Sequence, residues 1–345
     1  MKKMSLLFVV ALLASVASQR PVAAQLDKVF IAGKAPVAGT VQEMSKDKVT
    51  VDVGGAPRTF EVNDIAKITY GDDPQVLTKS REAALAGQLE AALTDLNSIS
   101  PDGLRDVAKQ DVLYYRAFCA AKISISTGGK REEAITGLME FVKGNPGSYH
   151  FYEAAELLGD LATTGGDHAK AAVYYGQLAK APWADYKLRA NVMVARALTA
   201  QKKFAEALEK YDLVIKSDEG NAEANRQKTM AKVGTAVCLA ETGKPDEGLA
   251  LVEDVIKNND SKDSLLFARA YNALGTCHLK ANRSKDALTA FLHVDLLYGT
   301  VSDAHAESLF YLTKLWSDVN KADRALDCRT TLKSRYGGSP WAKAL

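Results

Sequence analysis

The sequence predicts a mainly α-helical protein, a superhelical solenoid of about six to seven helix pairs preceded by a small five-stranded β-barrel. Three observations carry this expectation. A small residue recurs at Ala134, Ala171, Ala207, Gly248, Ala287 and Ala325, at spacings of 37, 36, 41, 39 and 38 residues, each opening an amphipathic run. Twelve positions before four of these stands a second small residue, namely Gly159, Ala195, Ala236 and Gly275. Small side chains at both points let two helix backbones approach closely. Before residue 72 the period is that of strands instead.

The chain begins with a segment unlike the rest. Lys2 and Lys3 precede SLLFVVALLASVAS, and no further charge appears before Arg20. A basic start, a short apolar run and small residues before a cut read as a secretory signal peptide over residues 1–24, cleaved after Ala24, with Ala17 as the alternative site. The uncharged run, Met4 to Gln19, is 16 residues, shorter than the roughly 20 of a spanning helix. The expectation is an exported, periplasmic or extracellular protein with no transmembrane segment after cleavage. Removing Lys2, Lys3 and Arg20 leaves 41 basic against 42 acidic side chains. Such a balance gives no general attraction to nucleic acid or to an anionic membrane.

Residues 26–71 hold five short β-branched runs: KVFIAG, PVAGTVQEM, DKVTVDV, PRTFEV and AKITY. Gly54-Gly55-Ala56-Pro57 forms a hairpin between the third and fourth. Five strands in so few residues close only as a tiny barrel. Val37-Ala38-Gly39-Thr40-Val41 resembles the glycine-kinked second strand of Sm-like barrels, and Asn63-Asp64-Ile65 resembles the turn before the last strand of an SH3-like or Sm-like barrel. The RNA-contacting Asp and Asn of Sm-like proteins have no counterpart, because Met44 and Ser45 occupy that stretch. Gly71-Asp72-Asp73-Pro74 breaks the pattern, so residues 72–76 read as a linker and 77–345 as the helical array. Residues 77–100 read as one degenerate pair that caps the array.

The clearest unit is Leu265 to Gly299, two amphipathic helices around a polar turn. Its small–x11–small spacing, with Phe291 four residues after Ala287, is similar to the tetratricopeptide repeat (TPR), a helix–turn–helix unit of about 34 residues. Tyr175 and Tyr211 repeat the aromatic, and Pro146 falls where such units close. HEAT-type pairs, with periods of about 40–47, are the alternative, but they lack this spacing. Lys122 and Thr313 stand where a small residue is expected, so the first and last units are irregular, as caps often are. The ending Tyr336-Gly-Gly-Ser-Pro-Trp-Ala resembles TPR units of bacterial envelope proteins.

No catalytic pattern survives inspection. Ser126 to Lys130 fails as a phosphate loop because Ser124 and Arg131 occupy the required Gly and Ser/Thr positions. GxSxG, HExxH and CxxC are all missing, and no cofactor or metal site is expected. Cys119, Cys238, Cys277 and Cys328 lie in helical apolar surroundings and read as buried free thiols. His278 reads as a core-filling residue. The aromatics Tyr114, Tyr115, Tyr149, Phe151, Tyr152, Tyr174 and Tyr175 read as packing between units.

The TPR resemblance implies a non-enzymatic scaffold that binds protein or peptide on the concave face of its first helices. Counted onto this chain, the family's positions are Glu153, Glu156 and Asp160, then Arg189, Val192, Arg196 and Thr199. Met230, Val233 and Val237 follow, then Arg269, Asn272, Thr276 and Lys280, and finally Phe310 and Lys314. Arg189 and Arg196 are seven residues apart on one helix face, and Arg269 and Lys280 extend an exposed basic strip suited to an acidic, apolar segment. Two alternatives stand beside this reading: a structural subunit of an envelope complex, and an accessory factor to a carbohydrate- or lipid-processing system.

Overall fold

The computed structural model describes residues 26–345; the signal-peptide expectation for residues 1–24 lies outside them. The first element is a five-stranded antiparallel sheet: β1 (Asp27–Ile31), β2 (Val37–Met44), β3 (Lys48–Val53), β4 (Ala56–Glu61) and β5 (Ile65–Thr69), with a single 3-10 turn at Val62–Asp64. The strand order is β4-β3-β2-β1-β5, so β1 pairs with both β2 and β5. Gly39 earns its place by close approach: a Cβ there would lie 2.2 Å from the carbonyl oxygen of Asp52. The register slips between Val41 and Glu43, a bulge that bends β2.

The helices follow as seven antiparallel pairs. They are α1 (Gln75–Leu85) with α2 (Leu89–Asn97), α3 (Asp106–Thr127) with α4 (Arg131–Gly144), and α5 (Phe151–Gly165) with α6 (His168–Leu178). Then come α7 (Ala184–Ala200) with α8 (Phe204–Ile215), α9 (Ala222–Glu241) with α10 (Pro245–Asn258), α11 (Ser264–Lys280) with α12 (Ser284–Leu297), and α13 (Ser302–Asp318) with α14 (Ala322–Tyr336). A short α15 (Pro340–Lys343) ends the chain. Local chemistry sets several starts: the side chains of Asp167, Asn221 and Asp263 each accept a backbone N–H of the first turn they precede.

The repeat also shows in the turns. Gly166, Lys202, Gly243, Asn282 and Asn320 all have positive φ, and each stands five residues before its anchoring small residue. Gly87 has the same conformation five residues before the fully buried Ala92. The stretch expected as a degenerate cap is therefore built on the same turn as the others, with buried Ser80 at the preceding small position.

The small–x11–small rule has two physical forms. A Cβ on Gly248 would lie 2.6 Å from the Ala236 carbonyl oxygen, so here two backbones do meet. A Cβ on Gly275 would instead lie 2.6 Å from the ring of Phe291, the aromatic four residues past Ala287. Gly159 meets Tyr175 in the same way. The rings expected as unit packing do that packing: Tyr114, Tyr115, Tyr149, Tyr152 and Tyr175 are buried, while Phe151 and Tyr174 are half-buried. All four cysteines are buried and free, and burial pushes the Cys277 thiol up to about 12.

The solenoid bends tightly enough for the turn after α14 to touch the turn between α3 and α4 of the second pair. The Arg131 guanidinium, at the start of α4, donates to the Gly338 carbonyl at 3.2 Å. Gly128 and Gly338 are in backbone contact, such that a Cβ on Gly128 would fall 2.9 Å from the Gly338 Cα. Among the described residues, no helix is long and apolar enough to cross a membrane.

Candidate functional site

The sheet is joined to the helices by a buried ion network. Arg81 of α1, 0% exposed, donates through Nε and Nη2 to one oxygen of Asp111 on α3, at 3.0 and 2.8 Å, and through Nη1 to Asp73 at 3.0 Å. Such a buried cation persists only when it is paired and hydrogen-bonded. Asp27 of β1 accepts Arg105 at 2.7 Å together with the Val41 and Gly71 amides. Further out, the Tyr152 hydroxyl donates to Asp47 at 2.9 Å and the Trp183 indole to Glu61 at 3.0 Å. The apolar core runs without a break from Val29 and Ile68 of the sheet to Tyr114 and Leu157 of the helices.

His150, buried at the start of α5, stacks on the Tyr114 ring at 3.6 Å, with the tilted Tyr149 ring 3.9 Å away. Its Nε2 is 3.2 Å from Asp111 and its Nδ1 3.4 Å from Glu153. Burial disfavours the imidazolium, but the bonds to Asp111 and Glu153 outweigh it and raise the His150 pKa. The same contact holds Glu153 below its usual range although burial opposes it.

Beside this junction lies a cleft of about 240 Å³. One wall is the start of β5, with Ile65 and Ala66; the others come from α3, α5 and α7 and carry Lys122, Glu156, Asp160, Tyr186 and Arg189. Protein crowds around these groups, yet solvent still reaches 53% of the Glu153 side chain. Burial pushes Glu156 up to about 7, even with the Arg189 guanidinium 3.0 Å away. Burial also raises Asp160, against a hydrogen bond from the Tyr175 hydroxyl at 2.8 Å. Arg189 lies over the Tyr186 ring at 4.5 Å. The cleft thus offers carboxylates, cations and aromatic faces within one recess.

The residues expected on the concave face divide into three sets. Glu153, Glu156, Asp160 and Arg189 line the cleft together. Val192, Met230, Val233, Asn272, Thr276 and Phe310 are buried between helices and offer no free surface, while Val237 and Thr199 are half-buried. Packing between neighbouring first helices takes up these side chains: Asn272 of α11 donates to Ala304 at 2.8 Å and Glu307 at 3.0 Å, both on α13. The third set is the basic strip, in which Lys280 is exposed as expected but each charge already has an acidic partner. Arg196 is 3.3 Å from Asp303, Arg269 bonds the same Asp303 oxygen, and Lys280 is 2.7 Å from Glu241. Lys314 is exposed, with its ammonium 4.0 Å from the centre of the Phe310 ring.

One histidine also differs from expectation. His278 is half-buried rather than a core filler, while His150 and His305 are the buried pair. In the sequence Arg81 and Asp111 carry no distinguishing pattern, and His150 is one of five histidines, none with another histidine at i+3 or i+4; the one signal for the junction is the aromatic density around residues 149–152. Among the described residues, no group of three or more His, Cys, Asp or Glu side chains is placed to hold a metal ion.

A family model described as tetratricopeptide repeat matches residues 235–294, from within α9 to within α12. Solved structures with a similar fold include a tetratricopeptide repeat protein from Parabacteroides merdae, 17% identical over 76% of this chain and 92% of that one, with a TM-score of 0.55. A Rap protein complexed with competence and sporulation factor is 13% identical over 78% of this chain and 77% of that one, with a TM-score of 0.53. The apo quorum sensor NprR from B. thuringiensis is 11% identical over 74% and 85%, with a TM-score of 0.50. No curated protein matches the sequence. The fold is therefore a TPR-like helical solenoid carrying an N-terminal five-stranded antiparallel sheet.

Proposed function

We propose that this chain is an exported, non-enzymatic scaffold of the cell envelope, holding a protein or peptide segment on the inner face of its solenoid beside an SH3-like docking module. The observation that carries the reading is the cleft between β5 and the first helices of the second, third and fourth pairs. It combines a strand with no second strand partner on its outer side, aromatic faces and charges of both signs. Those are the groups that recognise an extended polypeptide. The Rap protein of similar fold is complexed with a factor. Export rests on Lys2-Lys3, the apolar run and Ala24, and the non-enzymatic reading on the repeat architecture and on the motifs missing from the sequence.

A photo-reactive side chain at Lys122, inside the cleft, should cross-link a defined partner in envelope extract. The same group at the exposed Leu213, on the outer helix α8, should not. Adducts from Leu213 alone would place binding on the outer surface and overturn the reading. A fixed, stoichiometric set of adducts from both positions would favour a structural subunit of a larger complex.

A further inference from the structure

The inner face is tied across its own groove. Arg196 belongs to α7, Arg269 to α11, and Asp303 opens α13. Both guanidiniums bond the same oxygen, Oδ2 of Asp303, while its Oδ1 accepts the Ala304 amide at 2.9 Å. A guanidinium presents a planar fork that fits both oxygens of one carboxylate. Here two forks share one oxygen, and neither is filled. The Nε of Arg269, whose side chain is only 14% exposed, is buried without a partner. Close by on the same helix, Asn272 is 3% exposed and its Oδ1 also lacks a partner.

The charge distribution agrees with the geometry. Burial, and then the neighbouring Arg196, lower the basicity of Arg269. Burial alone would raise Asp303, yet Arg269 and then Arg196 hold it down to about 2. Glu307, the other nearby carboxylate, is pushed by burial up to about 7, so near neutrality it compensates the arginines only in part. Water reaches the cluster: the side chains of Arg196 and Asp303 are 33% and 37% exposed.

We propose that Arg196 and Arg269 form a carboxylate-binding site which Asp303 occupies as an internal stand-in, keeping the inner face closed to acidic peptides until one displaces it. The proposal rests on the inner-face scaffold reading and adds to it a ligand chemistry and an autoinhibitory contact. Displacement would exchange one shared oxygen for a carboxylate seated in a fork. It would also release the only described ion pair joining α7 to α13.

The test uses residues 25–345 with hexaglutamate and hexalysine peptides as probes, read by calorimetry at low salt. Asp303→Asn keeps the shape and removes the competing charge. It should bind hexaglutamate about tenfold more tightly than the wild type, because the fraction of open site rises. Adding Arg196→Gln and Arg269→Gln should abolish that gain, and hexalysine should not bind to either form. A folded Asp303→Asn protein that binds hexaglutamate no better than wild type would overturn the proposal and leave Asp303 a purely structural tie. Should Asp303→Asn not fold, spin labels at exposed Lys187 and Lys314 report on the wild type. Saturating hexaglutamate should lengthen that separation, and an unchanged distance would overturn the proposal. Failure of the Lys122 cross-link would leave this measurement unaffected, so the two readings fall separately.

Discussion

Three glycines inside helices should answer alanine substitution in a fixed order, because each meets a different obstacle. At Gly176 in α6 a Cβ would find nothing within 4 Å, so Gly176→Ala should gain the helical preference of alanine, about 1 kcal/mol. At Gly275 the new methyl would lie 2.6, 2.7 and 2.8 Å from three ring atoms of Phe291. That ring is fully buried and stacked at 4.7 Å on Tyr311, so it gives way only by pushing a second ring. Overpacking of this kind costs about 1–3 kcal/mol, and the same helical preference offsets about 1, leaving a net loss of roughly 1 kcal/mol. At Gly248 the obstacles are the Ala236 carbonyl oxygen at 2.6 Å and the Cys277 sulfur at 2.9 Å. A backbone carbonyl has no rotamer to change, so two helices must separate and the net loss should reach roughly 2–3 kcal/mol. Urea midpoints at constant slope measure the differences. Phe291→Leu should restore part of the loss in Gly275→Ala but none in Gly248→Ala, since the two sites have different obstacles. Gly275→Ala as stable as Gly176→Ala would refute the packing argument.

Arg81→Met should strand Asp111 and Asp73 as buried charges and cost about 3–5 kcal/mol, while adding Asp111→Leu should recover much of it, both read from urea midpoints. Glu156 and Glu307 have raised folded pKa values near 7, so the folded chain holds protons that the unfolded chain has released. Stability should therefore fall as pH rises from about 4.5 to 7, by on the order of 1–2 kcal/mol per group, and Glu156→Gln with Glu307→Gln should flatten the dependence. His150 adds a loss in the same direction, because its raised pKa contributes stability below about 6.5 that disappears as pH climbs through the folded value. Reversing Arg196 and Arg269 to Glu should destabilise by roughly 2 kcal/mol or more, since Asp303 and Glu307 would then face like charge. Intact-mass analysis of the secreted protein should show loss of the first 24 residues, or 17; full-length protein in the cytosol would refute export.

The helix pairs were legible because their cause is local. The small residues at 159, 195, 236 and 275 and their partners twelve on are what a tight crossing needs, and Gly248 against Ala236 shows that need directly. The strands of residues 27–69 were legible from their period of two and their turn residues. Ala92 does not stand out as an anchor because residues 77–100 are too short for a full unit, although its spacing to Ala134, 42 residues, is close to the longest of the others. The acidic and basic lining of the cleft could be counted onto Glu156, Asp160 and Arg189, but the strand wall opposite them could not.

By itself the sequence determined periodicity: where helices and strands form, which residues face inward, and which crossings must be small. Hydrophobic period and side-chain size act within one helical turn or one helix pair, so they are written in consecutive residues. Only the tertiary structure decided how sharply the solenoid bends, and with it the fate of every charge on the inner face. Arg196 and Asp303 are 107 residues apart, and Arg131 and Gly338 are 207. Small rotations at each of several pair junctions accumulate before such groups meet, and no local pattern records that sum. Whether an arginine is an open binding group or one side of a closed ion pair is therefore settled by curvature.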